Sequence, residues 1–171
     1  MIRSPQTLSL RTDAIGRAAH RLGLAALLGG NLFGRFAMHP ALASISDKAE
    51  RGAVVNRAWR RYGTVNSTAL VAVVAGSRLD GARSPARDTA VAAVAVTGLA
   101  AAVEGLRFAG SAPGGAVPLD SGSEPAAETP PAAAKLKRAL GVLGALNLAS
   151  DVALLVIDCL SVSGRPRRRR R

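Results

Sequence analysis

The residues whose types and spacing could do chemistry here are acids in apolar surroundings. Asp151 and Asp158 sit inside a run of Val, Leu and Ile that begins at Asn147 (NLASDVALLVIDCL). A carboxylate in such a run is costly to desolvate, so it needs a partner or a task. On a helix advancing about 100° per residue, Asp151 lies about 40° and Asp158 about 20° round from Asn147. All three share one narrow face. Three more polar lines occur upstream. Asn31, Arg35 and His39 are spaced i, i+4, i+8; Asn56, Trp59, Gly63 and Asn66 follow i, i+3, i+7, i+10. Thr97 and Glu104 are seven apart, with Arg107 one turn beyond.

Four helices, each with one polar line, imply a bundle with a hydrophilic seam. The simplest pairings are Arg35 with Asp151 near mid-depth and Glu104 with Arg107 at a boundary. The structural reading of the seam is glue, since hydrogen bonds between helices in lipid fix register at about 1 kcal/mol each. The chemical reading makes Arg35, His39 and Asp151 catalytic candidates. Arg35 would grip an anionic or carbonyl group, and Asp151 or His39 would accept a proton. The binding set is then Asn31, Arg35, Asn56, Asn66, Glu104, Asn147 and Asp151. His20, in the basic leader, reads as a solvated surface residue. Asp158 reads as hydrated at an interface or paired with the arginines that follow it. Two histidines without an HExxH spacing and one cysteine, Cys159, offer no metal site. No Walker loop, dinucleotide fingerprint or GxSxG elbow is present, so no cofactor is expected.

These lines need long helices to carry them. Charge is nearly absent from four patches and crowded between them, which predicts a single-domain, all-α, integral membrane four-helix bundle. Its spans fall at about 22–45, 59–78, 87–107 and 136–160. The uncharged cores are shorter than the roughly 20 residues a span wants, and flanking Arg, Lys and Glu must snorkel to complete them. Trp59 and Tyr62 stand where an interfacial anchor would. Gly30 with Gly34, and Gly141 with Ala145, are small-residue pairs suited to close packing. Asp47 with Glu50 has capping-box spacing and predicts a helix start. Residues 109–134, rich in Gly, Pro, Ser and acid, read as a disordered extramembrane loop. A soluble, Ala-rich four-helix bundle is the competing reading. So is a cleaved leader, with Arg35 and the continued apolarity against it.

Net charge of +12 and pI near 11.6 admit an anionic membrane surface or nucleic acid as partner. Aromatics at 3% of residues disfavour base stacking, so nucleic acid is the weaker choice. The 163–171 tail ends in Arg165, Arg167, Arg168, Arg169, Arg170 and Arg171, which would touch anionic lipid headgroups and hold the last helix in orientation. Counting basic residues on each side places both termini in the cytoplasm, with the chain multi-pass in the plasma membrane. The heavy use of Ala, Gly, Arg, Val and Pro fits a GC-rich bacterial genome. A homo-oligomer or a membrane partner is compatible with all of this.

The stretch GGNLFGRFAMHPALASISDKAERGAVVNRAW carries a further pattern: Gly29, Gly30, Phe33, Pro40, Ala41 and Leu42, then Asn56, Arg57 and Ala58. It resembles the anthrone oxygenase-like family of small four-span membrane proteins, most of which have no assigned function. The resemblance covers about the first third of the chain. It implies four spans and, for the family's named activity, cofactor-free oxygenation of polycyclic anthrones. Arg35, the Pro-rich loop and the arginine tail depart from it. The functional expectation is therefore a binding or accessory bundle of unassigned activity. The alternatives are a cofactor-free oxygenase acting on a hydrophobic aromatic substrate, and a small-solute or proton transporter.

Overall fold

A computed structural model describes residues 5–163. Four long helices account for most of it: α1 (Pro5–Phe33), α2 (Lys48–Leu79), α3 (Pro85–Ala109) and α4 (Pro131–Ser163). No strand forms among the described residues. The all-α expectation holds.

Local chemistry sets the boundaries. Asp47 caps α2 by accepting from the backbone N–H groups of Ala49 and Glu50 at 2.7 and 2.9 Å. The turn to α3 uses Gly81 at φ +67°, where a side chain would be strained. Ser84 then caps α3, with Pro85 in the first helical position, where its missing N–H costs nothing. Pro131 opens α4 in the same way. The helices run up, down, up, down. α1 packs chiefly on α2 and α3 chiefly on α4, with lighter contacts joining the two pairs. Gly16 and Gly76 bring α1 and α2 into backbone contact, because a Cβ at Gly76 would lie 2.6 Å from the Gly16 carbonyl oxygen.

Two apolar clusters fill the bundle. One, near the chain termini, joins Leu24, Leu27, Val73, Val94 and Leu154. The other, at the opposite end, joins Leu42, Val55, Phe108, Val117, Leu119 and Ala133. Among the described residues, α3 and α4 are long and apolar enough to cross a membrane, with mean hydropathies of 1.7 and 2.0 over their most apolar windows. In α1 and α2 the uncharged stretches, 22–34 and 62–77, fall short of the roughly 20 residues that a span wants.

Three expectations are corrected. The 109–134 segment is not a disordered loop but a folded cap. Its Val117 and Leu119 are fully buried, Leu119 bridges to Pro125, and the Leu119 N–H donates to the Lys48 carbonyl at 3.0 Å. Two apolar side chains and Arg51, which donates to the Asp120 carbonyl at 2.6 Å, supply what a Gly- and Pro-rich composition lacks. Second, α1 does not continue as a regular helix. Residues Gly34–Met38 form a π turn, followed by a short α turn at His39–Ala41 and a 3₁₀ turn at Leu42–Ser44. Third, of the two small-residue pairs only the first marks close packing between helices, and it does so through rings of α2. Gly30 and Gly34 receive the rings of Tyr62 and Trp59, and Gly141 faces open space.

Candidate functional site

The polar side chains form three layers along the bundle. At the end that carries the chain termini, all four helices contribute to one buried ion cluster. Arg87, from the first turn of α3, donates to both oxygens of Asp80 at 3.0 and 2.7 Å and from Nε to Asp158 at 2.7 Å. It also donates to the Ala82 carbonyl at 2.6 Å. His20 of α1 completes the ring, with Nε2 2.7 Å from Asp158 and Nδ1 2.9 Å from the Val73 carbonyl of α2. Both ring nitrogens of His20 therefore have an oxygen partner inside the bundle. Arg87 thus sits between two carboxylates, with His20 against one of them. Such a cluster costs desolvation, but its geometry gives the Arg87 guanidinium an acceptor on every side. Its place explains its members: Asp80 and Arg87 flank the α2–α3 turn, and Asp158 lies two turns below Asp151.

This layer was missed in the sequence reading. His20 is not a solvated surface residue; it is 1% exposed. Asp158 is not a hydrated boundary residue, since both its oxygens are engaged within the bundle. The signal available was weak: an Arg in a short turn and a His before an apolar run.

The middle layer is the seam proper. Asn31 of α1 donates from Nδ2 to Asn147 Oδ1 and to Asp151 Oδ2, both at 2.8 Å. Asn147 in turn donates to Thr97 Oγ1 of α3 at 3.0 Å. Asp151 is fully buried, and its Oδ1 has no hydrogen-bond partner. Tyr62 closes the layer on the α2 side, its hydroxyl donating to the Ala26 carbonyl at 2.7 Å. The spacing argument placed Asn31, Thr97, Asn147 and Asp151 on inward faces, and they meet.

The remaining expected members do not. Arg35 is exposed and takes no part in any ion pair among the described residues, so its pairing with Asp151 is corrected. A π turn takes up one residue more than an α turn. Side chains beyond Asn31 therefore leave the line that an unbroken helix would give. His39 goes instead to the third layer, accepting from the Trp59 indole N–H at 3.3 Å. Asn56 is buried and donates to the Gly115 carbonyl of the cap at 2.7 Å. Asn66 is half-buried and makes no side-chain hydrogen bond among the described residues. Glu104 pairs with Arg107 at 2.8 Å on the exposed side of α3, as its spacing implies. Among the described residues no hydrogen bond or ion pair joins the catalytic candidates Arg35, His39 and Asp151 to one another: Asp151 is held by Asn31 and His39 by Trp59.

The third layer fastens the cap. Lys137 donates to the Gly122 carbonyl at 2.6 Å and lies 5.2 Å over the Phe108 ring. Lys48 reaches Asp120 at 3.0 Å and Glu128 at 3.2 Å. Hydrogen bonding to Asp120, and then to Glu128, raises the Lys48 amine above its usual value. Its own backbone N–H, with Lys48 behind it, holds the Glu128 carboxyl low. No group of three or more His, Cys, Asp or Glu among the described residues is arranged to hold a metal. The arginine tail lies outside the described residues.

No protein-family model, curated protein or solved structure matches the chain. Its chemistry must be read from these layers alone.

Proposed function

We propose that the chain is a membrane-embedded four-helix bundle of the binding or accessory class, with cytoplasmic termini and the folded cap on the far side. One observation carries this reading: large apolar side chains are exposed along all four helices while several ionisable ones are buried between them. Leu22 and Phe36 on the first helical stretch, Val71 on α2, Val96, Leu99 and Leu106 on α3, and Val142 and Leu160 on α4 are all at least 62% exposed. In α3 and α4 only 22% and 17% of the most apolar window is buried within the fold. The core helix of a water-soluble protein hides such a window; a helix in lipid has no reason to. Meanwhile His20, Asp80, Arg87, Asn147 and Asp151 are buried. Ionisable groups in a bilayer turn to the bundle interior and pair.

Reporter fusions after Ile45, Ser77, Ser111 and Arg171 test it. Four spans give alternating sides, with Ser77 and Arg171 cytoplasmic. Only Ser111 on the far side would mean that α3 and α4 alone cross. All four on one side would return the bundle to water.

A second reading, movement of a proton or small solute along the seam, draws on the unpartnered Asp151 oxygen. A carboxylate lacking any cation beside it is suited to taking up and releasing a proton. Proteoliposomes carrying a pH-sensitive dye would show flux that is lost in Asp151→Asn; equal flux in both removes Asp151 from the path. Oxygenation of an anthrone-like substrate has less support, because no hydrogen bond or ion pair among the described residues joins Arg35, His39 and Asp151.

A further inference from the structure

We propose that the groove between α1 and α4 at the terminal end is a binding site for one anionic membrane phospholipid, an inference that rests on the membrane reading above. The groove has a volume of about 520 Å³, within the roughly 300–1,000 Å³ typical of ligand sites. Leu24, Ala25 and Leu28 of α1 and Leu155 of α4 form its apolar lining. Arg21 and Asp158 stand at its polar end. Those two groups are not equivalent. Asp158 spends both oxygens on His20 and Arg87, so its charge is already answered. Arg21 is exposed and takes part in no ion pair among the described residues. The site therefore offers an open apolar trough and, at one end, an unanswered cation.

An amphiphile with an acyl chain and a negative headgroup matches both features. The same two helices also expose Leu22 and Leu160, so on the membrane reading the groove opens on lipid and its contents would come from there. Arg78 and Arg83, also exposed and at the same end, raise the local potential that draws anionic headgroups. The acyl chain would lie along Leu24, Leu28 and Leu155, and the phosphate would meet the Arg21 guanidinium, whose fork suits its oxygens.

Native mass spectrometry of the full-length protein, purified in detergent and supplied with phosphatidylglycerol or phosphatidylcholine, tests this. We expect one phosphatidylglycerol to be retained in preference to phosphatidylcholine. Arg21→Glu should weaken that retention by roughly tenfold or more, and Leu28→Trp, which fills the trough without altering charge, should do the same. Arg83→Glu, a charge reversal outside the groove, should change it little. Equal losses from Arg83→Glu and Arg21→Glu would overturn the site in favour of diffuse attraction. So would a lipid kept by both groove variants, or a dimer in place of the lipid adduct. These results leave the membrane reading standing, whereas a protein soluble without detergent after ultracentrifugation overturns both.

Discussion

His20 and Asp158 stand 138 positions apart in the chain, yet Nε2 of one lies 2.7 Å from Oδ2 of the other. Their meeting ties the first helix to the last at the end where α2 and α3 are joined by a short turn. Arg87 holds the other side of Asp158 and both oxygens of Asp80. The terminal end of the bundle is thus closed by charge, and the opposite end by the folded cap.

Arg87 is the keystone of that closure, at 5% exposure and with two acids depending on it. Arg87→Ala leaves Asp80 with only the Ala82 N–H and Asp158 with only His20, and should cost about 3–5 kcal/mol. Arg87→Lys should recover only part, because an ammonium cannot span both oxygens of Asp80 and still reach Asp158. Thermal or denaturant unfolding in detergent reads both. A loss under about 1 kcal/mol for the alanine variant would mean that the acids are solvated after all.

The seam was legible because Asn147 and Asp151 are four apart on an unbroken helix, and Asn31 precedes the π turn. Arg35 lies within that turn and His39 follows it, and i, i+4, i+8 counting assumes a regular helix through it. The π turn left no mark in residue type that periodicity could use. Partners of His20 were illegible for another reason: periodicity within one helix gives a face, never the residue opposite it. The cap was hidden by its composition. Val117 and Leu119 are two apolar residues among Gly, Pro and Ser, and only the closed fold shows that they seal one end of the core. In contrast, the all-helical class followed from four long Ala- and Val-rich runs bounded by Pro, Ser, Asp and Gly.

Asp151 carries a cost that its amide analogue avoids. Its Oδ1 is buried with no donor, while Oδ2 accepts from Asn31. Asp151→Asn keeps the shape, can still accept from Asn31, and removes the charge from an apolar interior. Stability in detergent should be unchanged or rise by about 1 kcal/mol. Asp151→Leu should instead fall by about 1–3 kcal/mol, because it takes away an acceptor of the half-buried Asn31 amide. If Asp151→Asn is the more damaging of the two, the carboxylate has a role the neutral amide cannot fill.

Gly52 fixes where the cap lands. It is buried on α2, and a Cβ there would run into the backbone of Val117. Backbone cannot yield as a flexible side chain does, so Gly52→Val should lift the cap from Val55 and Phe108 at about 1–3 kcal/mol. Elastase should then cut near Ala116 or Val117 many times faster, with the helical circular dichroism almost unchanged. Unaltered cleavage would mean that the cap is not held on α2.

Lys48 gives the cap a pH dependence on both sides of neutrality. The Glu128 carboxyl is held low, by its own backbone N–H first and then by Lys48. A carboxyl lowered in the folded state stabilises above its unfolded value, and that contribution is lost as pH falls through the lowered one. The Lys48 amine is raised by hydrogen bonds to Asp120 and Glu128. Its contribution holds below the ordinary lysine value and is lost as pH rises through the raised one. Both groups are exposed, so the effect is local to the cap and small. Exchange protection of the Leu119 amide, which bonds to the Lys48 carbonyl, should be level through neutral pH once intrinsic rates are removed. It should weaken below the usual carboxylate range and again in strong alkali. Lys48→Met should remove the alkaline limb and shrink the acid one, where the Glu128 backbone N–H still acts; an unchanged profile in that variant would assign the dependence to other groups.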